Sequence, residues 1–123
     1  MTEPTKLKLY VFSYIGNVVR GEFANVAICL VEISDSPDRF IAFDITRNWS
    51  RIQAFFPQAD TAAVRNWCVA LKDDVLQPGR TQDSLNFLES LSGTVSVSVQ
   101  EKAMLTSKPP AEEMQSLVAL YLD

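Results

Sequence analysis

Arg20, Glu22 and Asn25 stand in the segment Arg20-Gly21-Glu22-Phe23-Ala24-Asn25, which runs directly into the apolar stretch Val26-Ala27-Ile28-Cys29-Leu30-Val31. Two charges and an amide at the mouth of a buried strand need partners, because an unpaired neutral polar group there costs about 1 to 3 kcal/mol and a charge costs more. Either the fold supplies those partners or a ligand does. As chemistry, a guanidinium near a carboxylate and a carboxamide is suited to gripping a carboxylate or phosphate, or to holding a small polar substrate. As structure, Gly21 permits a bend, Arg20 and Glu22 pair with neighbours, and Asn25 satisfies backbone groups opened by that bend. Strict alternation sends Glu22 and Asn25 to opposite faces of the strand, so the three need not converge.

A second polar group is Arg47, Trp49 and Arg51 around a helix start, the best local basic patch, with Arg39 as a candidate neighbour. It is a candidate partner- or ligand-binding surface, weighed against an ordinary solvated helix face. Tyr10, Phe12 and Tyr14 form an aromatic row of the kind that stacks bases on an exposed sheet, or that packs under helices. The carboxylates Asp73-Asp74 and Glu112-Glu113 have no metal-binding spacing and read as surface charge. There is neither a Gly-rich phosphate loop nor a nucleophile elbow.

The 123 residues contain no histidine. The usual general base, the Ser-His or Cys-His nucleophile pair and the commonest zinc ligand are therefore missing, and most hydrolase mechanisms with them. Any catalysis has to use carboxylates, Lys, Tyr or Cys with shifted pKa values. The two cysteines, Cys29 and Cys68, fall at apolar positions and read as buried free thiols in a reducing compartment. No metal and no cofactor is expected. A net charge of −4 argues against wrapping a phosphate backbone. The first six residues lack the apolar core of a signal peptide, and no apolar run approaches the roughly 20 residues that span a bilayer. A cytoplasmic protein without a membrane anchor is the expectation.

These side chains must be positioned by a single domain, residues 1–123, with residues 1–6 expected to be flexible. The length and a 47% hydrophobic content suit one core. Leu7 to Ile15 alternates aliphatic and aromatic residues and predicts a strand covered on both faces. Phe23 to Glu32 predicts a central strand. After the turn cluster Asp35-Ser36-Pro37-Asp38, Phe40 to Phe43 predicts a third strand, and the short links imply an antiparallel meander. Trp49, Ile52, Phe55 and Phe56 fit a short helix stopped by Pro57. Val64, Trp67, Cys68, Leu71 and Val75 carry the spacing of a helix laid on a core, starting at Asp60 or Thr61. A further short helix is expected over Leu85, Leu88 and Leu91, between a cap at Asp83 or Ser84 and Gly93. Thr94 to Gln100 alternates valine with polar residues and predicts a strand with one wet face. After Lys108-Pro109-Pro110 comes a last helix, with Glu112 and Glu113 at its positive end and a stripe of Met114, Leu117, Val118 and Tyr121. Leu120 and Leu122 lie off that stripe, so cover on two sides is expected. The fold class is α+β: an antiparallel sheet of about four strands, with helices packed on one face.

A strand ending in aromatics, the segment Arg20-Gly21-Glu22-Phe23-Ala24-Asn25-Val26 opening a second strand, an aromatic-rich helix, and a Val-rich strand before an acidic-starting C-terminal helix together resemble the bacterial family called domain of unknown function 3037. The resemblance covers nearly the whole chain, and its specific part is Arg-Gly-Glu-x-x-Asn-Val. Where the family commonly has a glycine after this valine, Ala27 stands here. The family implies no established activity. It does imply genomic company, since members are often encoded beside a protein with a HipA-like kinase fold. That leads to an accessory protein-binding module, partnering such a kinase-fold protein. The alternative is a small enzyme or nucleotide- or phosphate-binding domain using Arg20, Glu22 and Asn25. An RNA-binding sheet using the aromatic row is a third reading. Enzymatic activity is left open, leaning against. Nucleic acid is not an expected partner, and self-association stays open.

Overall fold

The computed structural model describes residues 5–17, 22–33, 39–57, 60–77 and 97–122, and for 15–17, 22–23 and 97–101 the backbone alone. Its strands are β1 (Thr5–Asn17), β2 (Glu22–Glu32), β3 (Ile41–Ile45) and β4 (Val97–Thr106). Its helices are α1 (Trp49–Phe55), α2 (Thr61–Val75) and α3 (Pro110–Tyr121). The four strands form one antiparallel sheet in the order β3-β2-β1-β4, so the protein is α+β. The helix expected over Leu85 to Leu91 lies outside the described residues.

Alternation along β1 explains why helices occupy both faces. Even-numbered Tyr10 and Phe12 enter a core with Cys29, Phe43, Ile52, Phe56, Cys68, Leu71 and Val75, which brings α1 and α2 onto one face. Odd-numbered Leu7, Leu9 and Val11 enter a second core with Ile28, Leu30, Met114, Leu117 and Leu122, which brings α3 onto the other. The expectation of helices on one face is therefore corrected. Two strands apolar on both sides leave two surfaces to cover, and one helical layer covers only one.

Helix starts follow the local chemistry of the chain. The Asp60 side chain accepts a hydrogen bond from the Ala63 N–H at 3.0 Å and caps α2, and the Asn48 side chain accepts one from the Arg51 N–H at 3.1 Å and caps α1. In α3, Pro110 occupies the first turn with Glu112 and Glu113. Glu113 Oε2 accepts from the Thr106 hydroxyl at 3.0 Å, tying α3 to the end of β4. Two details depart from expectation. β4 runs on to Thr106 rather than ending near Gln100, because pairing with β1 carries it through Glu101 and Lys102. Leu122 is buried but Leu120 is 72% exposed, so α3 is covered on one side.

β2 carries a bulge where it meets β1. Phe12 pairs with Ala27 but Ser13 pairs with Asn25, leaving Val26 as the additional residue. A bulge reverses alternation, so Asn25 lies on the opposite face from Ala27 although two positions separate them. Among the described residues, no helix is long and apolar enough to cross a membrane.

Candidate functional site

The polar cluster read from the sequence divides. Asn25 is turned by the Val26 bulge onto the α3 face, opposite Ser13. There its Oδ1 accepts from the Ser13 hydroxyl at 2.8 Å, and its Nδ2 donates to the Tyr121 carbonyl at 3.2 Å. The Thr46 hydroxyl, also buried, donates to the Leu122 carbonyl at 3.2 Å and accepts from the Asn48 N–H at 3.2 Å. The carbonyls closing an α-helix have no partner within it. Asn25 and Thr46, from β2 and the end of β3, supply those partners and fasten the end of α3 to the sheet. Glu22 pairs through its backbone with Asn17 at the start of β2; its side chain and the whole of Arg20 lie outside what the structure describes.

The second group divides as well. Trp49 is half-buried and packs on the α1/α2 core, whereas Arg47 and Arg51 are exposed. Arg39 precedes β3 and Arg47 follows it, so the length of that strand separates them. The row Tyr10, Phe12 and Tyr14 lies beneath α1 and α2. The Phe12 ring sits 5.5 Å from that of Phe43 and 6.3 Å from that of Trp67, and Tyr14 sits 5.4 Å from Phe56. Those faces are packed against protein rather than presented for stacking.

Both thiols are buried and free. Loss of solvent pushes each up to about 12 from 9.0, so neither is a thiolate at neutral pH. Neither is poised as a nucleophile.

An open cleft of about 230 Å³ lies between the start of β2 and α1, lined by Ala24, Arg51, Ile52 and Phe55. Ile52 forms an apolar floor and Ala24 a small wall. Phe55 is 69% exposed, and its ring stands 5.5 Å from that of Phe56 at 62°. The turn beside it is tied down: Gln53 Nε2 donates to the Phe56 and Pro57 carbonyls at 3.2 and 2.9 Å, and Gln53 Oε1 accepts from the Thr61 hydroxyl at 3.0 Å. The exposed ring is thus mounted on a fixed support. A second hollow, about 150 Å³, lies between the end of β3 and α3, with Arg47 and Asp44 on its rim.

The sequence assigned Phe55 and Phe56 to one short helix without choosing which of them enters the core. Helical spacing alone does not choose between them, since Phe55 stands three and Phe56 four residues after Ile52 and both positions neighbour it. Only one of the two adjacent phenylalanines can follow Ile52 into the core, and Phe56 does.

A model of the family described as Protein of unknown function (DUF3037) matches residues 10–122, nearly the whole chain, in agreement with the resemblance read from the sequence. No curated protein and no solved structure matches the chain.

Proposed function

This chain belongs to the DUF3037 family, and from that premise we propose that it is an accessory protein-binding module of the bacterial cytoplasm, engaging its partner through the corner where α1 meets the start of β2. The observation that carries this is Phe55, an aromatic ring 69% exposed, held on a braced turn and set beside Arg51 over an apolar cleft. A large apolar side chain in water gains free energy when a partner covers it, and aromatic and arginine side chains supply much of the energy of protein interfaces. A HipA-like kinase-fold protein is the partner suggested by the genomic company that the family resemblance implies. The competing small-enzyme or phosphate-binding reading enlists Asn25, whose amide already serves Ser13 and the end of α3.

The test uses the full chain, immobilised, with a purified protein of HipA-like kinase fold from the same bacterium, and compares Phe55→Ala with the parent. Phe55 is mostly in water, so the substitution should change stability by about 0.5 kcal/mol or less. It should weaken partner capture tenfold or more, the loss that follows truncation of an interface anchor. Capture unchanged by Phe55→Ala would remove this corner from the interaction.

A further inference from the structure

The cleft and its rim carry information about what the partner presents. From Ile45 to Pro57 the chain holds two charged residues, Arg47 and Arg51, both exposed, and no carboxylate, although the protein as a whole is at −4. Among the described side chains, none forms an ion pair with Arg51. The cleft beside it has an apolar floor at Ile52, a small wall at Ala24 and the Phe55 ring at its margin, and its volume of about 230 Å³ suits one bulky side chain rather than a folded ligand. An apolar hollow with a guanidinium on its rim is complementary to an apolar side chain with a carboxylate close by. At physiological ionic strength charges act over roughly 8 Å, so for a group seated in the cleft the adjacent arginine counts for more than the net charge of the whole chain.

Resting on the reading of this corner as the partner-binding surface, we infer that the segment it grips is acidic and apolar together. A leucine- or phenylalanine-sized side chain enters between Ala24 and Phe55, and a flanking Asp or Glu pairs with Arg51. The planar guanidinium takes a carboxylate through two parallel hydrogen bonds, which fixes the register of the segment while the cleft supplies the contact area. A lysine at the same flanking position would face Arg51 and be repelled.

Three short synthetic peptides with a common Leu-Phe centre, flanked by aspartates, by serines or by lysines, distinguish this chemistry when titrated into the isotopically labelled full chain and followed by amide shifts. The aspartate peptide should move Ala24, Arg51, Ile52 and Phe55 and bind about twofold to fivefold more tightly than the serine peptide, with the lysine peptide weakest. Arg51→Gln should bring the aspartate peptide to the level of the serine one, and Phe55→Ala should abolish binding of all three. Equal binding of the three peptides, binding elsewhere on the surface, or a ranking indifferent to Arg51→Gln overturns the acidic assignment. Shifts of the same four amides on concentrating the protein alone would give the cleft to a second copy of the chain and overturn it too. Partner capture keeps the two readings apart: lost in Phe55→Ala but retained in Arg51→Gln, it leaves the binding corner standing and removes the acidic segment, whereas retained in both it removes the corner itself.

Discussion

At Asn25 one carboxamide serves two neighbours, accepting from Ser13 and donating to the carbonyl of Tyr121. Asn25→Ala would strand a hydroxyl and a helix-end carbonyl in a largely buried place. The expected loss of stability is about 1 to 3 kcal/mol, several degrees in melting temperature for a chain of this size. Partner capture per folded molecule should stay at the parental level. A melting temperature unmoved by the substitution, together with abolished capture, would return Asn25 to the ligand side. The residue type was legible as a strand-opening polar group that needed partners. Its true partner was not, because Tyr121 stands 96 positions away and nothing local announces the contact.

The last helix shows what an element contributes when it covers a face alone. Met114, Leu117 and Leu122 are buried against Leu7, Leu9, Val11, Ile28 and Leu30, and among the described residues no other helix reaches that core. Each fully buried side chain of this size contributes roughly 1.5 to 3 kcal/mol, so the three approach a whole domain's stability of about 5 to 15 kcal/mol. Removing Met114 to Asp123 should yield a protein that is insoluble or lacks a cooperative melt, as differential scanning calorimetry would register. A truncated chain that still melts cooperatively near the parental temperature would make α3 a detachable interaction element. The alternation read over Thr94 to Gln100 concerns side chains outside those described, whereas the stripe of α3 could be read in advance from periodicity. That α3 lies across the sheet from α1 and α2 could not, since an amphipathic stripe states that a face is buried and leaves open against which surface.

For the molecule as a whole, both cysteines lie within the core that α1 and α2 build on the sheet. Burial raises each thiol to about 12 from 9.0, which makes stability depend on pH in a definite direction. Below about pH 9 the thiols are protonated in both folded and unfolded chains and contribute fully. Above it the unfolded chain loses these protons first, so their contribution falls as pH rises toward 12. Denaturant midpoints followed upward from neutral pH should therefore decline more steeply for the parent than for the Cys29→Ala, Cys68→Ala double variant, in which only the other titrating groups remain. At neutral pH neither thiol should react with a thiol reagent until the protein is unfolded. Rapid labelling of native Cys68 would contradict its place on the buried stripe of α2.

The sequence alone determined the α+β class, the meander of the first three strands, the start of α2 at the Asp60 cap and of α3 at Pro110, and the apolar stripes of those two helices. Each of these rests on periodicity, turn chemistry or capping within a few residues. It also carried the family, through Arg20-Gly21-Glu22 and the Asn25-Val26 that follows. Only the tertiary structure decided which face each helix covers and that Phe55 rather than Phe56 meets solvent. It also decided that the Val26 bulge turns Asn25 away from its apparent face and toward the end of α3. Those outcomes depend on pairing between segments far apart in the chain, where one additional residue in a strand reverses the side on which every residue before it lies.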